Sequence, residues 1–297
     1  MTLKQKFAWL ALVLMVASVL PLSAISALPA QAAIAGSAVQ ADDAASALAD
    51  GTPREFYGVT VNGVPMTTDP MLTTQDGVLY GSLRSLSAAL VSGVQINWAN
   101  GIATVYKEGV LSLTAVPGQN YIVANGRYLP VEGGVFARNG AICVPLDTLV
   151  KAVDATYVWL ADGTLALTTG SGGILSGDAF YNADDLYWLS RIIYAESGNQ
   201  PLRGKIAVGN VVLNRVSNSR FPNTVYGVIF QRNQFSPVSN GTIKRTPNAE
   251  SVLAAKLCLD GAVELENALY FNRVGLKSWA SRNRTFVATI AQHSFYA

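Results

Sequence analysis

Glu196 is the residue whose type and spacing most clearly indicate chemistry. Leu186, Leu189 and Ile193 recur before it with helical spacing, so the carboxyl should project from the same apolar face. The Ser197–Asn199 segment should end this helix and leave Glu196 in its last turn. Apolar surroundings and the negative end of the helix dipole both oppose ionisation and raise the pKa of a carboxyl. A carboxylic acid that stays protonated near neutral pH is what a general acid needs.

Glu196 also has a plainer interpretation, an exposed carboxylate at a fraying helix end.

The elements that must position Glu196 follow directly after it in the chain. Pro201 suits the first turn of a second helix, which should reach about Ser217. Gly204 and Gly209 inside this helix each cost roughly 1 kcal/mol relative to alanine, and close packing of the preceding helix would explain their presence.

Further helices and strands complete this region. Arg215, near the end of the second helix, either caps helix carbonyls or lines a cleft. Glu250 and Asp260 should lie on a separate helix and be solvated. Apolar spacing and capping residues predict a short helix after Thr224, a polar and aromatic loop over 231–240, a helix from Thr246 to about Asp260, and strands over Ala268–Asn272 and Gln292–Tyr296.

The first 32 residues have the pattern of a secretory signal peptide. Lys4 and Lys6 precede an apolar run from Phe7 to about Leu28, and Ala30–Ala32 has small residues suited to cleavage. The run is long enough to span a bilayer, so an uncleaved membrane anchor is the alternative. Residues 33–52, rich in Ala, Asp, Ser and Gly, are typical of a flexible linker. In either case the functional part should work outside the cytoplasmic membrane, which argues against nucleic acid as a partner.

Charge is distributed unevenly along the chain. The formal net charge is +2, but residues 33–179 contain 6 basic and 12 acidic residues, whereas residues 180–297 contain 13 basic and 7 acidic ones. We expect the basic part to meet an anionic partner such as a cell wall polymer.

The cysteines and the histidine limit other kinds of site. Cys143 and Cys258 lie in apolar runs and should be buried free thiols. His293 is the single histidine of the chain, which excludes a metal site built from two or more imidazoles. We expect it to be a packed, hydrogen-bonded residue near the last strand.

Residues 53–169, here called the N-terminal module, contain an internal repeat. Asn62–Gly63 and Asn125–Gly126 lie 63 residues apart, and the glycine-led apolar segments that follow them have the same separation. Each unit should contain an Asn-Gly turn between two strands, an apolar strand, a short helix and a strand pair with a tryptophan, Trp98 or Trp159. Two such small α+β units can share one core.

This repeated unit resembles the copper amine oxidase N-terminal-like domain, over about Phe56–Thr169. The module contains no histidine, so the resemblance does not imply a copper site. It implies a spacer or adhesive stalk, and no residue singles out a glycan-binding site. Residues 170–180, marked by their glycines, should link it to the C-terminal module, residues 181–297.

The C-terminal module resembles the cell wall hydrolase family of the spore cortex-lytic enzyme SleB. The resemblance covers about Asp184–Tyr296. It rests on the run Tyr194–Arg215 and on the shorter motifs Phe221–Pro222, Gln234–Phe235, Ala268–Asn272 and His293–Tyr296. It implies an α+β chain in which a lysozyme-like, mostly helical catalytic domain with a small sheet follows the strand-rich, duplicated module. It also implies a glycan cleft with Glu196, at the matching Tyr-Ala-Glu position, as catalytic acid.

The number of carboxylates in that cleft decides the mechanism. Two-carboxylate glycosidases place the pair about 5–10 Å apart across the scissile bond. Asp184 and Asp185 lie about three helical turns before Glu196, over about 16 Å away, and no other acid is an obvious partner. We therefore expect lytic transglycosylation of the bond between N-acetylmuramic acid and N-acetylglucosamine. The alternatives are a hydrolytic muramidase and a non-catalytic wall-binding protein.

Substrate contacts, partners and location can also be predicted. Gln234, Asn272 and Trp279 should bind amino sugars through their amides and indole, with core or surface packing as the alternative. Peptidoglycan glycan strands are the expected partner, and neither a cofactor nor a metal is expected. The expected location is outside the cell or in its wall, including that of the spore. Relatives in this family carry a different front module, so germination, sporulation and growth remain alternative roles.

Overall fold

The structure, a computed structural model, describes residues 58–297. The predicted signal peptide over 1–32 and the predicted linker over 33–52 lie outside the described residues. Within 58–297, no helix is both long and apolar enough to cross a bilayer. The described residues form two hydrophobic cores, one built from residues between Val59 and Leu167 and one from residues between Leu189 and Phe295. The module boundaries themselves stay predictions.

Strands dominate the N-terminal module. The first unit contains β1 (Val59–Val61), β2 (Val64–Pro65), β3 (Thr73–Gln75), β4 (Val78–Ser82), α1 (Leu83–Leu90), β5 (Gln95–Ala99) and β6 (Ile102–Lys107). After β7 (Leu111–Ala115), the second unit contains β8 (Tyr121–Ala124), β9 (Arg127–Pro130), β10 (Phe136–Arg138), β11 (Ala141–Pro145), α2 (Leu146–Ala152), β12 (Thr156–Trp159) and β13 (Leu165–Thr168). The predicted order of elements within each unit is confirmed.

The two units interlock through equivalent strands. β4 and β11 pair antiparallel at the centre of one sheet, in the order β10-β11-β4-β3. β1 pairs in parallel with β13 in a second sheet, β12-β13-β1-β2. The third sheet has the order β5-β6-β7-β8-β9. It corresponds to the second sheet, with β5 and β6 in place of β12 and β13, β8 and β9 in place of β1 and β2, and β7 added between the two pairs. Each unit therefore completes the other, as expected for a duplication that shares one core.

The glycines of the predicted interdomain linker serve close packing. A Cβ on Gly170 would lie 1.6 Å from the Asp154 carbonyl oxygen, and one on Gly173 would lie 2.2 Å from that of Val110. The Asn125 amide donates to the Ile174 carbonyl at 2.8 Å. This segment therefore lies against the N-terminal module and follows a fixed path.

Helices and one small sheet form the described chain from Gly177 onward. The helices are α3 (Gly177–Phe180), α4 (Ala183–Ser197), α5 (Leu202–Val216), α6 (Val225–Phe230), α7 (Ser236–Ser239), a 3₁₀ turn (Thr242–Lys244), α8 (Ala249–Leu259) and α9 (Trp279–Asn283). The strands β14 (Tyr270–Arg273), β15 (Phe286–Ile290) and β16 (His293–Tyr296) form a sheet in the order β14-β16-β15. The predicted helices and both predicted strands are present. β15 and α9 were not predicted, and α3 and α7 lie in segments predicted to be a linker and a loop.

Close helix packing explains Gly209 inside α5. A Cβ at this position would come 2.6 Å from Sγ of Cys258 on α8 and 3.0 Å from Cδ1 of Ile193 on α4. The side chains of Cys258 and Ile193 therefore pack directly on the α5 backbone, and the contact from α4 is the close packing that the sequence predicted. Cys143 and Cys258 are both buried and free, which confirms that prediction.

Asp260, expected to be solvated, is instead fully buried between the two modules. Arg127 of β9 donates from Nε at 3.1 Å and from Nη2 at 2.5 Å to its Oδ1. The Tyr181 hydroxyl donates to Oδ2, and Lys151 donates to the Asp260 carbonyl at 3.3 Å. The expectation was wrong because α8 packs against β9 of the other module, a contact that no local pattern reports.

Candidate active site

Glu196 opens onto a cleft of about 810 Å³ in the C-terminal module. Residues from α4, α5, the 231–239 segment, β14 and α9 line it. Arg215, Gln234 and Trp279 are among the lining side chains. The cleft thus brings together Glu196, two of the three predicted substrate-binding residues and the arginine whose role the sequence left open.

The Glu196 carboxyl is in the last turn of α4, as predicted. It is partly buried, and burial raises its pKa to about 7. No residue within 58–297 forms a hydrogen bond or an ion pair with the carboxyl, so nothing described favours its charged form. Among the described residues that line the cleft, it is the one carboxylate. The group can therefore hold a proton near neutral pH and release it to a bound molecule.

Local packing fixes the end of α4. The Ser197 hydroxyl donates to the Ile193 carbonyl at 2.7 Å inside the core. A Cβ on Gly198 would lie 2.6 Å from the Tyr194 carbonyl oxygen. On the other side of α4, the Trp188 ring packs edge-on against Phe230, with centroids 4.9 Å apart. These contacts position the last turn of α4, and with it Glu196, on the cleft wall.

Arg215 lines the cleft, the second of the two alternatives from the sequence, and the carbonyl that it binds lies just before β14 and not at a helix end. It is buried, and Nε donates to the Leu269 carbonyl at 2.7 Å. Its guanidinium carbon lies 5.1–5.4 Å from the ring centroids of Phe221, Phe235 and Tyr270. Burial lowers the pKa of Arg215 to about 10. Its Nη1 has no partner among the described residues, which leaves one buried donor available to a ligand.

Trp279 and Gln234 present accessible surfaces to the cleft. Trp279 begins α9 and is 55% exposed, and its ring lies edge-on to Tyr270 at 5.7 Å. The Arg284 guanidinium lies 4.7 Å from the indole centroid and braces it. Gln234 is exposed in the loop before α7. An indole and an amide in this arrangement suit the apolar face and the polar substituents of an amino sugar.

Asn272 does not line the cleft, and we correct the role expected for it. The residue is buried, and its amide donates to the Arg273 and Leu276 carbonyls at 2.8 and 3.2 Å. Its Oδ1 accepts from the Ser278 hydroxyl at 2.9 Å, and Ser278 caps α9. Asn272 therefore shapes the loop that leads to Trp279. A sequence pattern cannot separate this role from direct binding, because both need an amide at this position.

His293 is a packed residue, as predicted. Its ring lies edge-on to Phe271 at 5.2 Å, and burial lowers its pKa. Its Nδ1 has no hydrogen-bond partner within the described part of the chain, which the prediction of a hydrogen-bonded ring did not anticipate. Within residues 58–297, no group of three His, Cys, Asp or Glu side chains is placed to hold a metal ion.

Two families match the chain. The Cell Wall Hydrolase family matches residues 199–296, and the Copper Amine Oxidase N-terminal Domain family matches residues 60–165. The first match begins three positions after Glu196, so it does not include this carboxyl.

Individual relatives are similar over the same C-terminal region. The spore cortex-lytic enzyme of Bacillus cereus is 40% identical over 91 residues, which is 31% of this chain and 35% of that protein. That of Oceanobacillus iheyensis is 34% identical over 116 residues, 39% of this chain and 42% of that protein. The chain thus covers well under half of each of these relatives. Among solved structures, the catalytic domain of the germination-specific lytic transglycosylase SleB from Bacillus anthracis is 34% identical to this chain. The match covers 42% of this chain and 100% of the solved one, with a TM-score of 0.38.

Proposed function

We propose that the protein cleaves peptidoglycan glycan strands, because residues 199–296 match the cell wall hydrolase family. The observation that supports this most strongly is a single partly buried carboxyl, Glu196, on the wall of an open cleft. A raised pKa of about 7 gives it the proton that cleavage of a glycosidic bond requires. The basic residues of the same module suit the anionic polymers of the wall.

The proposed reaction is lytic transglycosylation with Glu196 acting twice. Its carboxyl donates a proton to the glycosidic oxygen between N-acetylmuramic acid and N-acetylglucosamine, and the bond to the muramic C1 breaks. The carboxylate then takes the proton of the muramic C6 hydroxyl as its oxygen bonds to C1, which closes a 1,6-anhydro ring and regenerates the acid. These two steps need only one carboxylate, which agrees with the single carboxylate among the described residues that line the cleft.

Around the acid, Arg215 and Gln234 supply donors and Trp279 supplies a stacking surface. Spore cortex peptidoglycan is a candidate substrate, because the relatives are named for spore cortex lysis. The protein would then act outside the cytoplasmic membrane, in the wall or the spore. Purified protein should release soluble muropeptides from isolated cortex or vegetative sacculi. Binding to both materials with no release from either would instead support a non-catalytic wall-binding protein.

Activity should fall as the pH rises through about 7. Burial raises the pKa of Glu196 above its ordinary value, so the proton that starts the reaction is present below pH 7 and lost above it. Above pH 7, kcat/KM should decrease tenfold per pH unit, since it follows the protonated fraction of the free enzyme. A profile of kcat/KM on soluble glycan fragments from pH 5 to 9 tests this. A decrease centred near pH 4.5 would contradict the proposed environment of Glu196.

Removal of the Trp279 indole should weaken substrate binding. Stacking of aromatic surfaces contributes about 0.5–1.5 kcal/mol, so Trp279→Ala should lower kcat/KM by about twofold to tenfold. Trp279→Phe should restore much of the loss. Phe286→Ala is the control, because Phe286 is 57% exposed on β15 but does not line the cleft. Equal losses in Trp279→Ala and Phe286→Ala would show that the indole has no specific role in binding.

A further inference from the structure

We propose that the N-terminal module contains a second saccharide site, a cavity beside Trp98 that binds an acidic amino sugar of the wall glycan. The choice of ligand rests on the proposed function, because that function brings the module to peptidoglycan. The existence of the site rests on the geometry of the module.

The cavity has a volume of about 470 Å³. It lies between the β5–β6 hairpin, the first turn of α1 and the β10–β11 hairpin. Ile96, Leu83 and Ile142 contribute apolar surface, and Trp98 lies at the opening with 49% of its surface exposed. A cavity of this size with an accessible indole suits a sugar ring that stacks on the indole and places an acetamido methyl against the aliphatic wall.

The duplication provides an internal comparison for this cavity. Trp159 is the equivalent of Trp98 in the second unit, and it is partly buried and packs against the module core. The equivalents of Ile96 and Arg84 in that unit are Tyr157 and Asp147, and the Tyr157 hydroxyl donates to Asp147 at 2.7 Å. In the second unit this hydrogen bond closes the space at the start of the helix. In the first unit Ile96 and Arg84 stand at the equivalent positions and form no such bond, and the space is open.

Two polar side chains at the cavity have no hydrogen-bond or ion-pair partner among the described residues. Arg84 and Asn139 both line it and are exposed. Neither side chain forms a hydrogen bond or an ion pair with any residue in 58–297. A guanidinium suits a carboxylate, such as that of the lactyl group of a muramic acid without a stem peptide, and an amide suits a hydroxyl or acetamido group. The combination of a stacking surface, one cation and one free amide therefore favours an acidic amino sugar over a neutral one.

The experiment uses the Glu196→Gln protein, so that the ligand is not consumed. The probe is the disaccharide of N-acetylglucosamine and N-acetylmuramic acid. Its binding is measured from the ¹H–¹⁵N signals of the tryptophan indoles. The Trp98 signal is identified by its loss in Trp98→Phe and should shift on titration. Arg84→Ala should raise the dissociation constant measured at this signal by about fivefold or more. Tyr106→Ala is the matched control, because Tyr106 is 46% exposed on β6 and lies outside the cavity, and it should change nothing.

Failure of this inference and failure of the proposed function give different results. A shift at the Trp279 indole with none at Trp98 would overturn the second site and leave the cleft as the glycan-binding site. A shift at Trp98 that is equal in Arg84→Ala and in the parent protein would also overturn it, because the acid-specific contact would be absent. A shift at Trp98 that Arg84→Ala weakens, together with no muropeptide release by the protein that keeps Glu196, would support the site while refuting the proposed catalysis.

Discussion

Replacement of Glu196 by glutamine should lower the rate of glycan cleavage by about a hundredfold to ten-thousandfold, the contribution typical of a general acid. The amide has nearly the shape of the protonated carboxyl, but it cannot give up a proton to the glycosidic oxygen. The substitution should therefore leave sacculus binding intact while muropeptide release is lost. Initial rates of release from sacculi, with bound protein measured in parallel, test this expectation.

The stability of the same variant is a control with a defined sign. Burial penalises the ionised carboxyl and not the protonated one, so the native protein should lose stability as the pH rises from about 4.5 to about 7. Glu196→Gln removes this penalty and should melt at a higher temperature than the parent protein at pH 8, with little difference at pH 4. A variant that keeps full activity, or that is less stable than the parent protein at pH 8, would contradict the role assigned to Glu196.

Removal of the Asp260 carboxylate should cost about 3–5 kcal/mol of unfolding free energy, the typical loss when one partner of a buried ion pair is deleted. In Asp260→Ala the Arg127 guanidinium, 8% exposed, would be left without its ion-pair partner, and the Tyr181 hydroxyl would lose its acceptor. The variant should therefore unfold at a lower urea concentration. Equilibrium unfolding monitored by tryptophan fluorescence measures the loss.

Glu264→Gln is the matched control for Asp260→Ala. Its carboxylate pairs with Arg203 at 2.6 Å, but the arginine side chain is 69% exposed. Exposed pairs contribute about 0–1 kcal/mol, so this variant should unfold almost as the parent protein does. Equal losses in the two variants would mean that the contact between the modules does not stabilise the chain in the way that its burial indicates.

Short-range patterns were sufficient to predict the main features around Glu196. The spacing of Leu189 and Ile193 placed the carboxyl on the inner side of α4, and the residues after it ended the helix where the structure ends it. The raised pKa also has the predicted direction, with burial as its cause. Periodicity works here because the position of a residue on a helix depends on its neighbours one or two turns away.

Contacts between distant parts of the chain were not predictable in this way. The burial of Asp260 depends on Arg127, which is far from it in sequence. The loop-shaping role of Asn272 depends on Ser278 and on α9, a helix that the local pattern does not predict. The glycines of 170–177 resemble a flexible linker in composition, yet they are small because other backbone segments approach them closely. In each case tertiary packing decides the role of the residue, and its local sequence is equally compatible with a different role.

The most direct test of the account is the mass of the glycan ends that the protein produces in water enriched in ¹⁸O. With one carboxylate and an internal nucleophile, the muramic ends should be anhydro forms, lighter by one water than reducing ends and free of ¹⁸O. This result is predicted for the parent protein, and Glu196→Gln should give no such product. Reducing muramic ends that contain ¹⁸O would contradict the account, because water would then be the attacking group and the cleft would need a second group to activate it.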